Sequence, residues 1–141
     1  MSRDRVFLPP VLLILLGCSA STEPEWSRVP GLVVEGTAPF TSVVAPAEVA
    51  RGQTFEITVS TFGSSSCTRS DGYELSLTAA GAEIRVFDRV APQNTPCTDD
   101  FRQFPRTVAL SFPAAGTIEL TVVGRGFDEQ PLTVRAIVLV R

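Results

Sequence analysis

Six stretches of this chain alternate apolar and polar residues with a period of two, and that rhythm limits the architectures open to it. Phe55, Ile57 and Val59 alternate with Thr54, Glu56, Thr58 and Ser60, and Tyr73, Leu75 and Leu77 with Glu74, Ser76 and Thr78. Ile84 and Val86 alternate with Glu83 and Arg85, and Val108, Leu110 and Phe112 follow. Ile118, Leu120 and Val122 stand against Glu119 and Thr121, and Leu132, Val134, Ala136, Val138 and Val140 line one face of a last strand. Side chains on a strand point alternately to its two faces. Each stretch therefore predicts one face in a core and one in water, the habit of antiparallel sheets.

Turn chemistry falls between these runs, at Arg51-Gly52, Asp71-Gly72, Ala80-Gly81, Ala115-Gly116 and Gly124-Arg125-Gly126. Pro39, Pro46, Pro92, Pro96, Pro105, Pro113 and Pro131 read as lying outside the strands, where a missing N–H costs no ladder bond. No window carries a long helical period. The expected fold is all-β: a single antiparallel β-sandwich of about seven or eight strands, filling residues 32–141. A chain of 141 residues has room for one such domain.

The N-terminus follows a different rule. Met1-Ser2-Arg3-Asp4-Arg5 is short and basic, and Val6 to Leu16 is apolar apart from Pro9-Pro10. Eleven helical residues would reach only about 16 Å, short of the roughly 20 residues a bilayer core requires. The layout is that of a secretory signal peptide, with a charged start, a short apolar run and a small residue before the cut. Leu15-Leu16-Gly17-Cys18 resembles the lipobox of bacterial lipoproteins. The resemblance implies cleavage between Gly17 and Cys18, acylation of the Cys18 thiol, and attachment to the membrane through the N-terminal lipid. Ser19 after the cysteine, rather than Asp, implies sorting to the outer membrane of the bacterial cell envelope. On this reading residues 1–17 are the signal peptide, and residues 18–31 are a lipidated N-terminus and flexible tether ahead of the domain. Ser19 to Gly31 has four small polar residues, two prolines and no apolar period. Trp26 within it either sits at the lipid headgroups or docks on the domain.

Two further stretches carry a looser likeness. Phe112 to Val122 resembles the strand–corner–strand ending of bacterial immunoglobulin-like domains, and Val43 to Val59 resembles their opening pair. That likeness implies an immunoglobulin-like sandwich. The central strands hold no Trp, however, and Ile118 stands where a corner Tyr would be. No Cys lies in the strands around Ile57 and Leu120, so the immunoglobulin superfamily proper is disfavoured.

With Cys18 assigned to lipid, Cys67 and Cys97 remain as an even pair in an exported chain, which predicts a disulfide between two loops. Two cysteines without histidine make no zinc site, and the acids show no calcium-loop spacing, so no metal or other cofactor is expected. All twelve basic residues are Arg, and there is no His or Lys. Serine–histidine, cysteine–histidine and serine–lysine chemistry therefore lack their base, and an enzyme is not expected. Asp99-Asp100 are adjacent acids, whose side chains diverge on a strand or a helix alike. Without Arg3, Asp4 and Arg5 the mature chain carries ten Arg and fourteen acids, which leaves no basic footprint for nucleic acid. No small-molecule substrate is evident. Arg85, Arg89, Arg102 and Arg106 read either as a local positive patch or as a solvated face.

Thr98-Asp99-Asp100, between Pro96 and Pro105, predicts one or two helical turns with Thr98 as N-cap. Phe101 and Phe104 then share a face, either plugging the end of the sandwich or forming an exposed partner contact. The last strand, if at an edge, offers free backbone groups to a partner. The expected role is a non-catalytic, membrane-anchored structural or binding module that meets an envelope protein or glycan. The alternative is a secreted inhibitor or regulator of an enzyme acting through the 62–72 and 91–105 loops.

Overall fold

The computed structural model describes residues 25–141, so the signal segment, the Gly17–Cys18 junction and Cys18 itself lie outside the described residues. The described chain is all-β, with nine strands and no helix. They are β1 (Ser27–Pro30), β2 (Val43–Val44), β3 (Glu48–Val49), β4 (Phe55–Gly63), β5 (Thr68–Thr78), β6 (Gly81–Val90), β7 (Arg102–Leu110), β8 (Gly116–Arg125) and β9 (Pro131–Val140). The larger sheet has six strands and runs β1-β6-β8-β9-β3, with β5 flanking the other side of β6; the smaller runs β2-β4-β7. Along one side of β6, β1 takes Phe87–Val90 and β8 takes Gly81–Arg85.

The alternation places the core as expected. Ile57, Val59, Val108 and Leu110 of the smaller sheet meet Ile84, Val86, Ile118, Leu120, Val122, Val134, Val138 and Val140 of the larger, all buried. One stretch departs. Tyr73, Leu75 and Leu77 pair with Val86, Ile84 and Ala82 and so share the inner face of the sheet, yet all three are exposed. Three strands cannot cover six, and β5 is left as an uncovered ledge.

Other expectations are corrected. The sheets are not wholly antiparallel: β6 and β8 are parallel, as are β3 and β9. The cause is topological. Between β6 and β8 the chain makes a single return pass through the other sheet as β7, so it re-enters the larger sheet in the same direction. Asp71-Gly72 is not a hairpin turn but an irregularity inside β5, where Gly72 takes a φ of 82° that suits glycine. Pro105 lies within β7, opposite Ser60, tolerated because β7 is an edge strand. The predicted helical turn over 98–104 does not form. Arg102 to Leu110 pairs instead with β4 along its whole length, and so short a segment cannot sustain a helix against that ladder. The last strand pairs with β8 along its length but with β3 only at Leu139 and Val140, so its outer side is open over Pro131–Val138; β5 and β7 are the other long edges. The domain also begins before residue 32, because Ser27–Pro30 is strand β1 rather than tether.

After Pro30 the chain crosses the gap between the sheets. Gly31 donates its N–H to Val86 and accepts from Arg125, Val33 donates to Arg125, and Leu32 accepts from Phe62 of the smaller sheet, each at 2.9–3.0 Å. The crossing is tight. A Cβ at Gly124 would lie 2.3 Å from the Gly31 carbonyl oxygen, so a side chain there would push the segment out.

Beside this crossing lies a buried charge pair. Asp88 of β6 is 1% exposed and Arg106 of β7 is 9% exposed. The Arg106 guanidinium donates to Asp88 Oδ1 at 2.5 Å, to the Phe87 carbonyl at 2.6 Å and to the Thr61 hydroxyl at 3.0 Å, while that hydroxyl donates to Asp88 Oδ1 at 2.8 Å. Asp88 Oδ2 and Arg106 Nε have no partner. Burial raises the Asp88 carboxyl above its ordinary 3.8, outweighing the Thr61 and Arg106 contacts that lower it. Stability through this group is therefore fully present below about pH 4 and falls as pH rises through its raised value.

Asp88→Ala strands the guanidinium in the core and should cost about 3–5 kcal/mol in urea unfolding at neutral pH. The stability of the wild-type chain relative to Asp88→Asn should decline as pH rises above the ordinary carboxylate value. A variant as stable as the wild type, or a flat pH profile, contradicts the assignment.

Candidate functional site

β4, β6 and β8 all point toward one end of the molecule. There the 63–68, 91–101 and 126–130 connections meet the start of β1, since Ser27 pairs with Val90. This end gathers most of the residues that the sequence singles out.

The Cys67 and Cys97 sulfurs are 2.06 Å apart, at bonding distance, with their Cα atoms 5.5 Å apart. A hydroxyl network reinforces this junction of two loops. Thr98 Oγ1 has one proton, and its shortest contact is Asp100 Oδ1 at 2.6 Å, so it donates there and accepts from Ser64 at 2.9 Å or Ser65 at 3.1 Å. The Thr98 N–H donates to Ser66 Oγ at 2.8 Å and the Ser65 N–H to Asp100 Oδ1 at 3.0 Å. These bonds, the Thr98 hydroxyl first, hold the Asp100 carboxyl well below the usual carboxylate range. Its contribution is in place above the ordinary carboxylate value and is lost only in strong acid. Thr98 and Asp100 thus do not cap a helix; they lock one loop to another.

The two candidate phenylalanines do not share a face. Phe101 stacks on the buried Phe62, ring centroids 5.1 Å apart and planes 10° from parallel, and the residue is 49% exposed. Phe104 is half-buried in β7, opposite Thr61. The plug is therefore Phe62, with Phe101 as its outer leaf. A third ring continues the stack: Phe127, in the β8–β9 turn, lies 5.8 Å from Phe101 and is 70% exposed. Trp26 docks on the domain, with the Arg69 guanidinium 3.8 Å above its ring.

The four arginines considered as a patch are each paired: Arg85 with Glu83, Arg89 with Asp71, Arg102 with Asp100 and Arg106 with Asp88. Asp71, Asp88 and Asp100 go to these different partners, and no group of three or more potential metal-ligating side chains exists among the described residues. The clefts are modest. One of about 200 Å³ lies against Pro30, Phe87 and Pro131, and one of about 350 Å³ lies under the 35–38 segment beside β9.

Sequence reading missed Asp88–Arg106 and Phe127. The first had a signal: Asp88 continues the inward parity of Ala82, Ile84 and Val86, and Arg106 that of Val108 and Leu110. Phe127 sits between Gly126 and Asp128, an aromatic ring in a turn with no strand to bury it. Comparison with protein-family models, curated proteins and solved structures finds no match.

Replacing both Cys67 and Cys97 with Ala should cost about 3–4 kcal/mol, since the bridge closes a loop spanning 30 residues. Peptide mapping without reductant should join the Cys67 and Cys97 peptides. Free thiols at both positions contradict the pairing.

Proposed function

We propose that this chain is a lipid-anchored protein of the bacterial cell envelope, attached to the outer membrane, whose non-catalytic β-sandwich binds an envelope protein. The anchor rests on Leu15-Leu16-Gly17-Cys18 and the apolar run before it. The sandwich is loosely immunoglobulin-like at most, because the parallel β6–β8 pair sits where such folds are commonly antiparallel.

A single observation carries the binding role. Tyr73, Leu75 and Leu77 form an apolar ledge on the inner face of β5, next to a free edge with no Pro, Lys or inward-pointing charge from Tyr73 to Thr78. Edges of that kind accept an added strand, whose backbone pairs with the edge and whose side chains cover the ledge. The loops at the disulfide end are tied to each other by the Cys67–Cys97 contact and the Thr98–Asp100 network, which supports a scaffold over a mobile inhibitory loop. A non-enzymatic role is in keeping with a chain that has no His or Lys and whose buried carboxylate, Asp88, is engaged by Arg106.

The test is one experiment on cells expressing the full chain with a photo-crosslinking residue at Leu77. The chain should fractionate with the membranes and give a discrete protein adduct, and Cys18→Ala should move it to the soluble fraction. A Cys18→Ala chain that still pellets contradicts the anchor; absence of a protein adduct at Leu77 contradicts the binding role.

A further inference from the structure

We propose that the disulfide end of the domain rests on the bilayer surface, with the Phe127 and Phe101 rings as its contact. This inference deepens the lipid-anchor reading and rests on it. The argument begins with the chain outside the described residues. Nine Cα-to-Cα steps lead from Cys18 to Ser27, which is fixed against Val90 in β1. Fully extended, they reach about 30 Å, so a lipid on Cys18 keeps this end close to the headgroups. The other end, at Gly116 and Arg141, lies about 30 Å further away along the ten residues of β8.

The end so held is built for an interface. Phe127 is 70% exposed, and the stack from Phe127 through Phe101 to the buried Phe62 backs it with a rigid support. Rings already immobilised lose little further freedom on insertion. Trp26, docked beneath Arg69, fixes the start of β1 at this end of the domain, where the chain leads back toward Cys18. The charges nearby largely cancel: Arg102 pairs with Asp100, Arg125 with Glu129, Arg89 and Arg28 with Asp71 and Arg28 also with Glu74, while Arg69 over Trp26 is offset by Asp99 and Asp128 in the same loops. A polyanion finds no basic field here, whereas a zwitterionic lipid surface meets exposed rings and little net charge. In this orientation the β5 edge faces sideways, clear of the membrane.

Because Trp26 is the chain's single tryptophan, replacing it leaves one introduced tryptophan as the reporter. The acylated full chain, carrying Trp26→Phe and either Phe127→Trp or the far-end control Ala114→Trp, is reconstituted in phosphatidylethanolamine vesicles containing nitroxide-labelled lipid. Quenching at position 127 should be several-fold stronger than at position 114. Equal quenching at the two positions, or none at 127 in a chain whose N-terminal peptide mass shows acylation, overturns the proposal. A photo-crosslinker at Phe127 that traps one envelope protein and no lipid overturns it too. A peptide mass without acyl groups on Cys18 overturns the anchor reading itself, and this inference falls with it.

Discussion

Gly31, Leu32 and Val33 carry the chain across the gap between the two sheets, and the rest of the architecture depends on that crossing. Their backbone groups bond to Val86 and Arg125 on one side and to Phe62 on the other, and the Arg125 side chain adds a bond to the Pro30 carbonyl at 2.9 Å. The crossing closes the sandwiched core at one end. It also roofs the buried Asp88–Arg106 pair: a Cβ at Gly31 would meet Thr61 Cγ2 at 2.3 Å and Asp88 Oδ2 at 3.0 Å. Only glycine lets the backbone lie so close. The pair below then links β6 to β7 through directed bonds from Arg106 to Asp88 and to the Phe87 carbonyl.

The same crossing decides what the disulfide end can present. Because β1 is held in the sheet, the N-terminal chain leaves from beside the 63–68 and 91–101 loops rather than from a remote point. The rigidity of those loops comes from three sources that reinforce one another: the Cys67–Cys97 contact, the Thr98–Asp100 hydroxyl network and the ring stack on Phe62. On the proposed reading, one end of the domain serves attachment and the open β5 side serves recognition. The two surfaces do not compete.

Much of the core was legible in the sequence, because a period of two specifies a face whatever the strand order. Ile57, Val59, Ile84, Leu120, Val122 and Val138 are buried as their parity requires. Strand order was not legible, since parity is blind to which neighbour a strand chooses. The parallel β6–β8 pair and the uncovered Tyr73-Leu75-Leu77 ledge both follow from that choice. Local signals failed where long-range pairing outweighed them: Thr98-Asp99-Asp100 has the chemistry of a helix start, but β7 gains a full ladder with β4. The cysteine pair was legible from the even number left once Cys18 is set aside, whereas the aromatic stack was half legible. Phe101 stood out, but its partners Phe62 and Phe127 lie in distant segments that only the fold brings together.

Amide hydrogen exchange at Gly31, Val33, Phe62 and Arg125 tests the central claim most directly, since these four N–H groups make the crossing. If residues 27–33 belong to the domain, all four should exchange only through global unfolding, as slowly as amides in the middle of β4 and β8. Exchange as fast as that of the exposed 93–95 loop would contradict the account, because β1 would then be peeled away and the tether lengthened past the domain's end.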